Sequence, residues 1–162
     1  MPSAPIRVLH LYTAQAHNFF GHHGQEPDDF PMQEHEEIQC LAGRGILGDR
    51  FLDFRSNYKG QITFFSAEVF RSLSTALQTH HHPPAVLRRN VVTEGIDLNT
   101  LINLEFTIQG ILFKGSAECS PCYWMDRAFA PGAEQFLQGR GGLRARILTS
   151  GTLRRDPPGL AH

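Results

Sequence analysis

Residues 105–115, EFTIQGILFKG, carry the pattern that decides the fold class of this chain. Phe106 and Ile108 alternate with polar residues, and a second apolar run follows from Ile111. Two such runs, separated by Gln109-Gly110, are typical of a β-hairpin. The stretch therefore predicts two antiparallel strands and favours a β fold.

Working outward from the hairpin, short runs rich in β-forming residues recur along the chain. We predict further strands at residues 6–12, 37–41, 61–65, 86–93 and 143–149. One clear helix is expected to begin at the N-cap Ser66 and to end before Pro83-Pro84, with a shorter helix at 133–138. Many short strands with few helices predict a mainly β protein, a β-barrel with a few short helices.

Length and composition limit the class of protein. The chain has 162 residues, which corresponds to one domain, and its formal net charge of −1 argues against binding nucleic acid. No apolar run approaches the roughly 20 residues of a membrane-spanning helix, and no signal peptide is expected. Three cysteines are too few for a disulfide framework, so we expect a cytoplasmic protein with reduced thiols.

The positive charge is almost entirely arginine, because only Lys59 and Lys114 are lysines. Arginine matches phosphate and carboxylate oxygens through two parallel hydrogen bonds. The arginines are grouped along the chain as Arg44 with Arg50, Arg88 with Arg89, and Arg140 with Arg144 and Arg146. This grouping favours a small anionic ligand, although arginines on a solvated surface are the simpler alternative.

The strongest candidate for chemistry is Cys122, which follows the second hairpin strand in the sequence Cys119-Ser120-Pro121-Cys122. The two cysteines are compatible with a redox pair, half of a zinc site, or one functional thiol with a neighbour. A zinc site needs about four ligands, and a thioredoxin-like pair needs a βαβ context. A cysteine that is only a small buried hydrophobe is the remaining alternative.

Two further stretches combine glycine, arginine and polar side chains. Residues 43–50, GRGILGDR, lack the lysine and the spacing of a phosphate-binding P-loop, and they predict either a tight turn capped by Asp49 or a ligand-binding loop. In residues 87–91, LRRNV, strand alternation places Arg88 and Asn90 on one face and Arg89 on the other. Charges within a strand indicate a sheet edge or an anion site.

A histidine-rich stretch suggests a different site. Residues 17–24, HNFFGHHG, contain His17, His22 and His23, which are potential metal ligands at neutral pH. Carboxylate ligands would come from Asp28, Asp29 or Glu34. A flexible loop with incidental histidines is the alternative.

The order of these pieces resembles that of the MOSC domain family, named for the C-terminal domain of molybdenum cofactor sulfurase. The resemblance extends from about residue 38 to residue 151. It is carried by GILGDR at 45–50, QIT at 61–63, LRRNVV at 87–92 with GIDL at 95–98, SPC at 120–122, and RGGLRA at 140–145. Each piece alone is common, but five in the same order are specific.

The resemblance implies one MOSC-like domain over residues 1–162, with a β-barrel core at about 38–151. It implies that Cys122 is the functional cysteine, which ligates molybdenum in a bound pyranopterin cofactor or carries sulfur as a persulfide. Members with a molybdenum-bound thiolate reduce N-hydroxylated compounds. The cofactor ends in a phosphate, and the residues that we expect to contact it are Arg44, Asp49, Arg50, Arg88, Arg89, Asn90, Arg140 and Arg144.

The chain also departs from larger relatives. From its length we expect neither the additional N-terminal β-domain of the larger reductases nor the cysteine desulfurase domain of full sulfurases. We therefore expect no pyridoxal phosphate, and we expect electrons or sulfur to come from a partner protein. Phe51 stands where the family usually has histidine after Gly-Asp-Arg. The alternatives are a persulfide carrier without bound cofactor and a metal-binding domain built on the histidine-rich stretch.

Overall fold

The computed structural model describes residues 6–15 and 31–157, and strands dominate this part of the chain. The strands are β1 (Arg7–Thr13), β2 (Gln33–Glu34), β3 (Glu37–Leu41), β4 (Gly45–Ile46), β5 (Ile62–Ser66), β6 (Val91–Glu94), β7 (Glu105–Ile108), β8 (Ile111–Glu118), β9 (Leu143–Ile147) and β10 (Gly151–Arg154). The α-helices are α1 (Ala67–Ala76), α2 (Trp124–Ala128) and α3 (Ala133–Phe136). Short 3₁₀ helices cover Pro84–Leu87 and Leu98–Leu101.

The strands form two open sheets. The larger has the order β2-β1-β6-β5-β9-β8-β7, and the smaller has the order β10-β3-β4. The mainly β prediction is confirmed, but the β-barrel prediction is wrong, because neither sheet closes on itself within the described residues. The small sheet packs against the large one, and the two sheets share one buried core. The small sheet contributes to it Ile38, Cys40, Ile46 and Leu153.

The hairpin at 105–115 forms as predicted. Phe106 pairs with Phe113 and Ile108 pairs with Ile111 across the antiparallel strands β7 and β8. Gln109 and Gly110 have φ of 53° and 81°, and positive φ at both central residues suits the twist of a two-residue hairpin turn. Phe113 then reaches the core, where its ring lies 5.4 Å from that of Phe64 and nearly perpendicular to it.

Strand β5 lies near the centre of the large sheet and is buried on both faces. Phe64 points into the core shared with the small sheet, whereas Phe65 packs with the helices on the other face. Alternating side chains of one strand therefore serve two apolar clusters. The predicted helix follows directly, and the Ser66 hydroxyl accepts a hydrogen bond from the Val69 amide at 3.1 Å, as an N-cap does.

The strand predicted at residues 86–93 is wrong in its first half. Pro84 begins a 3₁₀ helix, and Arg88 after it adopts a left-handed conformation with φ of 60°. A strand cannot continue through such a residue, so β6 begins only at Val91. The side chains of residues 88–90 consequently do not follow the alternation that the sequence suggested.

Gly151–Arg154 forms a further strand that the sequence analysis did not predict. It pairs with β3 along its whole length, from Gly151 opposite Cys40 to Arg154 opposite Glu37. Within the described residues, no helix has the length and apolar character needed to cross a membrane.

Candidate functional site

Cys122 lies between the end of β8 and the start of α2. After β8, the backbone N–H of Cys119 donates to the Gly142 carbonyl at 2.7 Å, which ties this segment to the residues before β9. The Cys122 carbonyl then accepts from the Met125 amide at 3.0 Å, in the turn that leads into α2. Cys122 is exposed. Its thiol is therefore accessible, although regular structure holds the backbone on both sides of it.

A cavity of about 290 Å³ opens at this thiol. The cavity is lined by four of the arginines that the sequence analysis predicted to contact the cofactor, and these come from three distant parts of the chain. They are Arg50, Arg88, Arg89 and Arg144. Cys119 and Ser120 line the same cavity as Cys122. A volume near the lower end of the range for small-molecule sites, about 300–1,000 Å³, and this concentration of cations suit a small anionic group.

Asp49 holds Arg50 in place from behind the cavity. Its carboxylate accepts hydrogen bonds from Arg50 at 2.9 Å and from the backbone N–H of Ala14 at 3.1 Å. Arg50 also donates to the Arg88 carbonyl at 2.9 Å. Burial lowers the pKa of Arg50, and the adjacent carboxylate of Asp49 opposes that effect. Asp49 therefore neutralises and orients Arg50 and does not itself line the cavity.

Arg88 is a buried cation in an uncommon backbone conformation. Only 8% of the residue is exposed, and its φ of 60° lies in the left-handed region that few residues other than glycine adopt. Burial, together with the nearby charge of Arg50, lowers the pKa of Arg88 to about 10. It is still a cation at neutral pH, and an anion in the cavity would offset the cost of burying it.

Arg89 joins the cavity wall to the two glycines before β9. Its guanidinium donates to the carbonyls of Gly141 at 3.0 Å, Leu87 at 3.0 Å and Cys119 at 3.4 Å. Carbonyl groups orient the guanidinium without neutralising its charge. A Cβ on Gly141 would overlap the Cys119 carbonyl, so this close approach requires glycine.

Asn90, which the sequence placed in the ligand set, has a structural position instead. It is fully buried and accepts from the backbone N–H and hydroxyl of Thr63 at 3.0 and 3.1 Å. Its amide nitrogen donates to the Tyr12 carbonyl at 3.1 Å. Asn90 thereby connects β5 with β1 and keeps Thr63, which lines the cavity, in position.

Arg44 and Arg140 do not line the Cys122 cavity. Arg44 forms a bidentate pair with Asp53 on the surface, with distances of 2.9 and 2.7 Å. Arg140 donates to the Phe136 carbonyl and lies 4.2 Å from the centre of the Phe136 ring. It lines a separate cavity of about 720 Å³, beside the start of α1.

The described residues test the other metal and thiol hypotheses only in part. Cys40 is fully buried, and burial raises the pKa of its thiol to about 12. In residues 6–15 and 31–157, no group of three histidine, cysteine or acidic side chains is arranged to hold a metal ion. Of the histidine site, His17, His22, His23, Asp28 and Asp29 lie outside the described residues, and Glu34 accepts from His10 at 2.7 Å.

The sequence analysis did not predict that one side of the cavity is aromatic. Phe51 and Tyr58 line it, with ring centres 5.5 Å apart and planes 26° from parallel. The one available signal was Phe51 itself, at a position where the family usually has histidine. Tyr58 gave no signal, because the loop at 51–60 has neither helical nor strand periodicity.

A model of the MOSC domain matches residues 22–157 of the chain. The chain belongs to the MOSC domain family. It is thus a domain related to that of molybdenum cofactor sulfurase. No curated protein matches this MOSC domain by sequence.

Solved structures agree with the fold of this MOSC domain. YuaD from Bacillus subtilis superposes with a TM-score of 0.69 at 18% identity, covering 92% of this chain and 91% of YuaD. YiiM from Geobacillus stearothermophilus superposes with a TM-score of 0.66 at 11% identity, covering 93% of this chain and 71% of YiiM. YiiM from Escherichia coli superposes with a TM-score of 0.58 at 18% identity, covering 89% of this chain and 65% of that YiiM. At such low identity, these likenesses concern the fold alone.

Proposed function

We propose that this MOSC domain binds the molybdenum cofactor in the arginine-lined cavity, with Cys122 as the thiolate ligand of molybdenum. The observation that carries the proposal is the position of an exposed thiol at a small cavity lined by four arginines. Thiolate is a soft ligand suited to molybdenum alongside the sulfurs of the pyranopterin. The guanidinium groups suit the terminal phosphate of the cofactor.

The residues have separate tasks in this proposal. Arg88, Arg89 and Arg144 hold the phosphate, and Arg50 supports Arg88 through its carbonyl. Arg44, Arg140, Asp49 and Asn90 are left out of the contact set because they do not line the cavity. When bound, the cofactor supplies a redox-active molybdenum centre, and the family resemblance suggests reduction of N-hydroxylated compounds with electrons from a partner protein.

A second function is favoured by the exposure of Cys122. As a sulfur carrier, its thiolate attacks the outer sulfur of a persulfide on a donor protein, and the donor leaves as a thiolate. The product is a Cys122 persulfide, and no cofactor is needed. An exposed thiol next to cations is accessible for this reaction, in contrast to the buried Cys40.

Metal and pterin analysis separates the two functions. The wild-type protein, the Cys122→Ala variant and the Arg44→Gln control are produced in a host that makes the cofactor, then assayed for molybdenum and for pterin fluorescence after acid release. Cofactor binding predicts both signals in the wild type and the control, with molybdenum lost from Cys122→Ala. Absence of both signals from the wild type would reject it, and detection of a persulfide on Cys122 would then support the carrier function.

A further inference from the structure

One side of the Cys122 cavity is aromatic. Phe51 and Tyr58 both line it, are only partly buried, and are nearly parallel, with 26° between their planes. Arg88, Arg89 and Arg144 line the same small cavity. A flat ring gains by stacking on aromatic faces, whereas an anionic group gains from guanidinium groups. The two features together suit one ligand that carries both.

The aromatic pair is fixed in place by its neighbours. The ring of Phe54 lies 5.5 Å from that of Phe51 and 4.9 Å from that of Tyr58. The Arg50 guanidinium lies 4.8 Å from the centre of the Phe51 ring. Because Arg50 is itself anchored by Asp49, the rings are held before any ligand arrives. Such preorganisation reduces the entropy lost on binding.

Gly60 sets the position of the Tyr58 ring. A Cβ at residue 60 would lie 3.1 Å from Cε2 and 3.3 Å from Cζ of that ring. These distances are tighter than ordinary van der Waals contact, so any larger residue displaces the ring or its own backbone. The missing side chain lets Tyr58 lie directly against the chain at the cavity wall.

We propose that Phe51 and Tyr58 form a stacking surface that selects ligands in which a planar heterocycle carries a phosphate. The inference rests on the proposed function and adds a specificity determinant to it. The arginines recognise phosphate on any carrier, whereas the aromatic pair distinguishes a flat ring from a non-planar one.

The test compares three probes on the purified protein by isothermal titration calorimetry: inorganic phosphate, a phosphorylated pterin and a non-aromatic sugar phosphate. The wild type is expected to bind the phosphorylated pterin at least about fivefold more tightly than the sugar phosphate, since stacking of one ring on an aromatic side chain contributes at this level or above. Tyr58→Leu should remove most of that ratio and leave inorganic phosphate binding unchanged. Gly60→Ala should reduce the ratio by displacing the ring.

Two control variants separate stacking from charge. Arg144→Gln should weaken all three probes to a similar extent, because it removes one cation from the cavity. Phe136→Leu removes an aromatic ring that lies under Arg140 outside the cavity, and it should leave the affinity for all three probes unchanged. Circular dichroism and thermal unfolding of each variant show that the comparison is made on folded protein.

The two proposals fail in distinguishable ways. If the wild type binds the phosphorylated pterin and the sugar phosphate equally, the stacking surface is refuted while the phosphate site stands. A Tyr58→Leu protein that retains the wild-type ratio refutes it as well. Failure of every probe to bind the wild type would refute the phosphate site and the stacking surface together.

Discussion

At the residue scale, the three cysteines of this chain have different environments. Cys122 is exposed at the cavity, Cys119 is 6% exposed beside it, and Cys40 is fully buried in the core between the sheets. Burial raises the pKa of the Cys40 thiol to about 12, so this thiol remains protonated at neutral pH. Position in the fold, more than residue type, thus assigns reactivity to Cys122.

This difference predicts the order of thiol alkylation. At pH 8 in the folded protein, iodoacetamide should label Cys122 first, and Cys40 should stay unlabelled because it is both inaccessible and protonated. Peptide mass spectrometry over a time course measures the order. Unfolding in urea should make all three thiols reactive, and labelling of Cys40 ahead of Cys122 in the folded state would contradict the structure.

Gly141 provides a second prediction at this scale. A Cβ at this position would overlap the Cys119 carbonyl and approach Pro121, so Gly141→Ala forces the two chain segments apart. We expect a loss of about 1–3 kcal/mol in the free energy of unfolding, as for other overpacked sites. Urea denaturation measures it.

The control for Gly141 is Gly110→Asn in the hairpin turn. Gly110 has open space around its Cα and a φ of 81°, a conformation that asparagine tolerates. This variant should cost less free energy of unfolding than Gly141→Ala. Gly141 has no positive φ, so an equal or greater cost for Gly110→Asn would contradict the explanation by close approach at Gly141.

At the scale of elements, the site depends on the order of strands in the large sheet. Parallel β5 and β6 are neighbours, β9 lies on the other side of β5, and β8 follows β9. Arg88 and Arg89 precede β6, Arg144 lies on β9, and Cys122 follows β8. Adjacent strands therefore bring together side chains from segments that are more than 20 residues apart along the chain.

Strand β10 forms one edge of the small sheet, and its single fully buried residue tests how much the strand contributes to stability. Leu153 is 0% exposed in the core between the sheets. Leu153→Ala should lower the free energy of unfolding by about 2–5 kcal/mol. Arg154→Ala on the exposed face should change it by no more than about 0.5 kcal/mol. Equal effects in thermal or urea unfolding would show that β10 is dispensable to the core.

At the scale of the whole molecule, the cavity concentrates positive charge in a chain whose formal net charge is −1. Arg50 and Arg88 are buried there, and burial lowers the pKa of both. Asp49 neutralises Arg50, whereas Arg88, Arg89 and Arg144 keep the wall of the cavity positively charged. An anion that binds only the folded state should therefore stabilise it.

Phosphate should accordingly raise the thermal stability. At a concentration 100 times its Kd, the gain is about 2.7 kcal/mol, and it is measured as a shift of Tm. Arg144→Gln should reduce the shift, while the surface control Arg44→Gln should retain it. Identical shifts in all three proteins would mean that phosphate acts through its general exclusion from protein surfaces instead of through the cavity.

Part of the fold and of the site was predictable from sequence because it depends on local patterns. The hairpin at 105–115, the helix after Ser66 and strands β1, β3, β5 and β9 follow from alternation, capping and apolar spacing. The failures occur where local patterns mislead. Residues 86–93 resemble a strand until the left-handed Arg88 interrupts it, and the barrel prediction failed because short strands are equally compatible with open sheets.

What the sequence determined by itself was the mainly β class, the family and the identity of the reactive residue types, since these depend on periodicity and on motifs in order. Only the tertiary structure decided which arginines share a cavity with Cys122. It brought in Arg50, Arg88, Arg89 and Arg144, placed Arg44 and Arg140 elsewhere, and added Phe51 and Tyr58. The physical reason is that strand pairing between distant segments, which local sequence does not encode, determines which side chains meet.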